Sequence, residues 1–275
     1  MMATLLVLFT LASKQAGAQY YYKDILNTKK LNDEYSLLKA NKISLVKISS
    51  FEDNDEPSEG FFCEKKIKKD FSESEMISRS YITGESVVNT RYDKDGRVTR
   101  SENNTPTLTN ITEYEYDSAG HVSAIKTVTA AEGDNFKITE THTYSYSDEG
   151  ILLHMLRKKN DVVIDKIFFI TGDNGNIIEE NAGNNEQEKK YFYYYDDQNR
   201  LTDVVHYNEF AKKLLPDYMF AYDTSARPKQ MTTVDASGSN YFIWRYAYTD
   251  TGLPEIEKCY SKEKRVLGTI QYEYR

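Results

Sequence analysis

A chain that repeats one turn at a near-constant interval can fold only by stacking one small unit against the next. This sequence does so. Gly120 is preceded by Tyr114 and Tyr116, six and four residues earlier, with Asp117 next in line. Gly150 has Tyr144 and Tyr146 in the same places, and Gly252 has Tyr246 and Tyr248. Asn199 replaces the glycine but keeps Tyr193, Tyr195 and Asp196, and Ala226 keeps Phe220, Tyr222 and Asp223. Gly96 retains Tyr92 and Asp93, Gly175 retains only Phe169, and Tyr272-Glu273-Tyr274 opens an eighth copy. Successive anchors at 96, 120, 150, 175, 199, 226 and 252 lie 24, 30, 25, 24, 27 and 26 residues apart.

Each position has a physical reason. Residues two apart on a strand face the same side, so Tyr-x-Tyr sets two rings side by side. An Asp carboxylate receives backbone N–H groups two residues on and favours a turn. The anchor is glycine because the turn needs positive φ, and Asn199 is the best substitute. Ala226 does not fit and predicts a different local turn. After each anchor "RVTR", "HVSAI" and "RLTDVV" resume apolar–polar alternation. A period of about 25 residues therefore holds two strands and two turns, an antiparallel meander. The expected fold class is all-β: a repeat meander of antiparallel β-hairpins in a long curved or twisted sheet over residues 43–275.

The preceding segment differs. Between Tyr22 and Asn41 an apolar stripe of Ile25, Leu26, Leu31, Tyr35, Leu37 and Leu38 predicts a short helix, with Asp24 as its cap. Residues 19–42 are expected to form a helical cap covering the first edge of the sheet. Leu45 through Tyr92 reads as degenerate copies of the same hairpin.

Residues 1–18 read as a signal peptide. "ATLLVLFTLA" is too short to span a bilayer, and Ala16 and Ala18 fit a small-x-small cleavage rule that starts the mature chain at Gln19. No Lys or Arg precedes the apolar run, a departure from the usual pattern. No other segment is apolar enough for a transmembrane anchor. The expected location is exported: periplasmic, cell-surface or secreted. A net charge of −8 argues against nucleic acid as a partner. The mean hydropathy of −0.67 and 23 tyrosines fit a thin sheet with much surface per residue. Cys63 and Cys259 lie far apart in an extended array and are expected to be unpaired.

The string in "TRYDKDGRVTR", "YEYDSAGHVSAI" and "YYYDDQNRLTDVV" resembles the YD repeat of bacterial Rhs-type proteins, over roughly Arg91 to Arg275. That resemblance implies β-hairpins in curving sheets and an exported or cell-surface location. It does not imply a toxin activity, because no payload follows the repeats here.

No motif carries catalysis. Asp93, Asp95, Gly96, Val98 and Glu102 imitate part of a calcium loop, but Arg91 stands where its first carboxylate belongs and the flanks alternate as strands. "GDNGNIIEE" fails at both end positions. His121, His142, His154 and His206 are scattered among repeats with no metal or triad spacing. Glu179-Glu180 and Asp196-Asp197 are adjacent, so on strands they face opposite sides and make poor acid–base pairs. No cofactor or metal ligand set is expected. The aromatic run Tyr191, Tyr193, Tyr194 and Tyr195 is the candidate binding feature, for a protein or glycan partner. Packing along the sheet accounts for the same rings. The function expected is a non-enzymatic, exported binding or structural module at the bacterial envelope. The alternative is a carbohydrate-active or metal-dependent surface enzyme, favoured if acid–base groups converge in a concave pocket. Finally, Leu267 to Arg275 is expected to form an edge strand open to self-association.

Overall fold

The computed structural model describes residues 20–131, 133, 136–182, 189–208, 211–235 and 238–275, and the signal-peptide reading lies outside them. Helix α1 (Lys23–Ala40) leads into β1 (Leu45–Phe51), β2 (Phe62–Ile67), β3 (Glu73–Ser80), β4 (Gly84–Tyr92), β5 (Val98–Asn104) and β6 (Leu108–Tyr116). Then come β7 (Val122–Ala131), β8 (Lys137–Tyr146), β9 (Leu152–Lys159), β10 (Val162–Thr171), β11 (Ile177–Ala182) and β12 (Lys189–Tyr195). The last six are β13 (Leu201–Asn208), β14 (Lys213–Tyr222), β15 (Pro228–Val234), β16 (Tyr241–Tyr248), β17 (Pro254–Tyr260) and β18 (Val266–Tyr274).

Every strand pairs antiparallel with its sequence neighbours, and β1 pairs with β18 from Val46↔Tyr274 to Phe51↔Thr269. The sheet is therefore a closed 18-stranded barrel, not an open one. This corrects the open-sheet expectation and removes the edge at β18, which is bonded on both sides.

The reason for closure is a device the alternation conceals. In seven successive repeats the register slips one residue before the second tyrosine position, leaving Thr99, Ser123, Leu153, Ile178, Thr202, Lys229 and Glu255 as extra residues. A bulge bends its strand and adds right-handed twist. Repeated at one level around the sheet, the bends add up until the last strand meets the first.

The repeat turns all lie at one mouth of the barrel. In each, the fourth residue donates to the first carbonyl, as Gly96 N to Asp93 O at 3.0 Å, and takes positive φ. Ala226 does the same, with φ 62° and a 3.1 Å bond to Asp223 O. It adopts the common turn, contrary to expectation, because Asp223 receives the N–H groups of Ser225 and Arg227 and pairs with the Arg227 guanidinium. Phe71, at φ 55°, closes the degenerate turn that begins at Lys68.

Successive repeats are fastened by the second tyrosine. Tyr116 donates its hydroxyl to Val98 O, Tyr146 to Val122 O, Tyr195 to Ile177 O, Tyr222 to Leu201 O, Tyr248 to Pro228 O and Tyr274 to Pro254 O. The acceptor is always the residue two past the preceding anchor. The cation one past that anchor covers the same ring: Arg97 over Tyr116, Arg200 over Tyr222 and Arg227 over Tyr248, each at 4.7 Å. His121 stacks on Tyr146 in the equivalent place.

Helix α1 does not cover an edge. It crosses the turn mouth, with its start packed against β8–β13 and its end against β1, β2 and the β16–β17 turn. β2 and β11 are opposite in an eighteen-strand ring. Eighteen residues of helix are about 27 Å long, so the helix is a strut joining the two sides of the mouth. Its buried side chains are Thr28, Tyr35 and Leu38, whereas Leu31 and Leu37 of the expected stripe are exposed. Asn32 receives the Val98 N–H and Tyr35 donates to Phe71 O, so the wall takes polar as well as apolar side chains from this helix.

Cys63 and Cys259 are buried free thiols, each pushed up to about 12 by burial. They are apart for a different reason than extension. β2 and β17 are three strand steps distant around the ring, about 14 Å, beyond disulfide reach.

Candidate functional site

The densest polar cluster lies where the helix begins. Asp24 does not cap α1; Tyr22 precedes the helix and has no capping side-chain bond. The free N–H groups are taken from across the barrel by Glu180 of β11, a side chain with no solvent exposure. Its oxygens accept from Tyr21 N at 2.8 and 3.0 Å, from Tyr22 N at 2.8 Å and from the Tyr193 hydroxyl at 2.8 Å. Burial raises the Glu180 carboxyl to about 7, against the pull of those donors.

Asp24 instead meets the wall. It lies 2.6 Å from His142 Nδ1 and accepts the Tyr144 hydroxyl at 2.8 Å. His142 Nε2 stands 3.0 Å from Glu140, which Arg157 grips from the other side at 2.8 and 3.2 Å. Burial pulls His142 down, but the hydrogen bonds to Asp24 and Glu140 outweigh it and hold the imidazole at about 9. The His142 bond, opposed by burial and reinforced by Arg157, lowers Glu140 to about 2. At neutral pH this is an imidazolium between two carboxylates, capped by a guanidinium that also bonds Asp165. His206 pairs with Asp217 at 2.9 Å in the neighbouring part of the wall, where burial raises Asp217.

Sequence reasoning missed this cluster because Asp24 and His142 are 118 residues apart. The only local signal was Glu140-x-His142, two residues apart and so on one face of a strand. The groups converge on one another and on the helix rather than on an open cavity. Among the described residues, no group of three or more His, Cys, Asp or Glu side chains is placed to hold a metal ion. Asp93 is occupied by Asp95 N, Arg97 N and the Arg97 guanidinium, and Glu102 is bonded to Arg100 and Asn104, so the partial calcium motif does not assemble.

The aromatic run divides between the two faces of β12. Tyr191 and Tyr193 are inside, 1% and 2% exposed, packed with Tyr20 and Tyr22 of the helix entry. Tyr195 is half-buried and fastened to Ile177 O. Tyr191 packs inside, and Tyr193 and Tyr195 both pack and hydrogen-bond, so in these three the packing role is the one the structure shows. Tyr194 alone faces out, 48% exposed. It borders a hollow of about 380 Å³ with Gly172, Asp173, Asn174, Asn176 and Ile178.

A stretch of the outer wall is charged. Glu73, Arg91, Arg100, Glu113 and Lys126 pair side by side across β3–β7, with Arg91–Glu73 at 3.3 Å and Arg100–Glu113 at 2.9 Å. Such a row does not face lipid hydrocarbon, where each midplane Arg or Lys costs about 2–4 kcal/mol. No helix among the described residues is long and apolar enough to cross a membrane.

No protein-family model and no curated protein matches the chain. Among solved structures, a porin-like protein from Bacteroides uniformis is 8% identical, with 85% of this chain and 98% of that chain covered and a TM-score of 0.41. TcdB2-TccC3 without its hypervariable C-terminal region is 11% identical over 75% of this chain, with a TM-score of 0.35. The match spans 12% of that chain's length. Likeness at this level carries no argument about function.

Proposed function

We propose that the chain is an exported, non-catalytic repeat barrel of the YD type, serving as a binding or structural module at the bacterial envelope or outside the cell. The observation that supports this reading is how its reactive side chains are engaged. Glu180, Asp24, His142, Glu140 and Arg157 bond one another and the helix strut, and the turn aspartates bond their own loops and arginines. A catalytic acid or base needs a reacting group within hydrogen-bond reach. These groups are closed to one.

The test has two readouts. Mass spectrometry of the exported fraction of the native host is expected to find a chain beginning at Gln19; a cytosolic chain retaining Met1 overturns export. Purified protein is expected to release no product from chromogenic glycosides, with or without added divalent metal. Turnover there replaces the module with the carbohydrate-active or metal-dependent enzyme.

A further inference from the structure

The hollow beside Tyr194 exists because one repeat departs from the rest. Elsewhere the turn opens on a side chain that receives the loop's own N–H groups: the carboxylates of Asp93, Asp117, Asp196 and Asp223, which also hold the side chain one past the anchor, or the hydroxyls of Ser147 and Thr249. At the Gly175 turn the first residue is Gly172 and the residue past the anchor is Asn176. Its first residue therefore offers the loop no acceptor side chain, and no long cation follows the anchor. The Asn174 and Asn176 amides reach instead to Asn199 Oδ1, at 3.2 and 3.4 Å. That contact explains why this anchor alone is asparagine. It also leaves the carbonyl oxygens of both amides unengaged.

The outer wall changes at the same place. The bulge residue is polar at Thr99, Ser123, Thr202, Lys229 and Glu255, but apolar and exposed at Leu153 and Ile178. The position facing the next strand, Glu115 or Ser145 in earlier repeats, becomes Ile170 and Tyr194. Leu153, Ile170, Ile178 and Tyr194, each 42–48% exposed on the adjoining strands β9 to β12, together make an apolar patch of the kind that marks a contact surface. Asp173, on the rim, has no hydrogen-bond or ion-pair partner among the described residues.

We infer that this hollow binds a sugar residue of a neutral glycan, an inference that rests on the binding-module reading. The apolar face of a pyranose ring lies against Tyr194 and Ile178, while its hydroxyls donate to the Asp173 carboxylate and the carbonyls of Asn174 and Asn176. A volume of about 380 Å³ holds one or two sugar rings, and few polar groups on an apolar floor is the usual make-up of a small-ligand site. An unpaired carboxylate on an acidic protein repels anionic glycans and accepts hydroxyls strongly.

The experiment uses the processed protein with hexamers of β-1,4-glucose, β-1,4-N-acetylglucosamine and α-mannose, read by saturation-transfer NMR and titration calorimetry. One hexamer is expected to bind, with transfer to its ring C–H protons. Tyr194→Ala and Asp173→Ala are each expected to weaken it at least tenfold. Asn176→Arg, which places there the arginine found at positions 97, 200 and 227, is expected to block binding without lowering the melting temperature. Tyr207→Ala, exposed on β13 outside the hollow, leaves affinity unchanged. Binding that survives both Tyr194→Ala and Asn176→Arg overturns the site and leaves the module reading standing. Failure of all three hexamers to bind overturns the ligand class. Release of new reducing ends from a bound hexamer overturns the non-catalytic reading itself.

Discussion

Glu180 and Tyr21 are 159 residues apart in the chain, yet both carboxylate oxygens of Glu180 accept the Tyr21 N–H. A wall strand thus supplies the cap that the helix lacks locally. The bond fixes one end of a strut whose other end is packed by Tyr35 and Leu38 against Val46 and Ile67.

This cluster sets a pH dependence with a definite sign. Glu180 is raised from 4.5 to about 7, so the folded state holds its proton more tightly than the unfolded state. Its contribution is complete below pH 4.5 and is lost as pH rises through about 7. His142 is raised from 6.5 to about 9, so its stabilisation is complete below pH 6.5 and lost through about 9. Melting temperature is therefore expected to decline from pH 5 to 9. Glu180→Gln should flatten the lower part of that decline and His142→Gln the upper part. Parallel profiles for all three proteins would show that neither group carries the slope.

Two neighbouring tyrosines should respond oppositely to loss of the hydroxyl. Tyr193→Phe removes a bond to Glu180 and is expected to cost about 1–3 kcal/mol, as for a hydrogen bond to a charged group. The Tyr191 hydroxyl is buried with no partner, so Tyr191→Phe should be neutral or stabilising by up to about 1 kcal/mol. Urea unfolding of both variants gives the comparison. A costly Tyr191→Phe would reveal a partner for that hydroxyl.

Ala226 holds a left-handed backbone at φ 62° in the turn where five of its equivalents are glycine. Ala226→Gly removes a steric cost of roughly 1–2 kcal/mol, partly offset by the freer unfolded chain, so a gain of about 0.5–1 kcal/mol is expected. Thermal unfolding measures it. A lower melting temperature would show that the alanine is unstrained.

Thr171 stands where other repeats carry the fastening tyrosine, and its buried hydroxyl has no partner. Tyr22 of the helix entry packs near that gap, with its ring 6.2 Å from that of Phe169. Tyr22→Ala is expected to cost about 3–5 kcal/mol as a large-to-small change. Thr171→Tyr should also destabilise, by overpacking. The double variant should recover at least about 1 kcal/mol relative to their sum, which a double-mutant cycle reads directly. Strict additivity would separate the two sites.

Deleting 269–275 removes most of β18 and opens the ring between β1 and β17. Both exposed edges are then unpaired, so the truncated chain is expected to melt at least several degrees lower and to self-associate in light scattering. The full chain, with β18 bonded on both sides, is the control. Equal melting temperatures and masses would mean the closure contributes nothing.

The repeat, its turns and the all-β class were legible because they are local. Positive φ at the anchor, an Asp that folds back on its own loop, and two rings on one face of a strand depend on residues within one period. Even the deviant Gly172–Asn176 turn is visible on aligning the copies. Sequence also placed the helix, since an apolar stripe at helical spacing is local as well. Closure was not legible. A bulge is a one-residue offset at Tyr116, Tyr146 or Tyr195 that leaves the period-two pattern intact on either side, and its bend matters only when summed around the ring. The direction each ring faces followed from that closure, which sent Tyr191 and Tyr193 inside and Tyr194 out. So did the partners of Asp24 and Glu180, because a group's nearest charge across a barrel is set by which walls the strut joins, and no spacing along the chain records it.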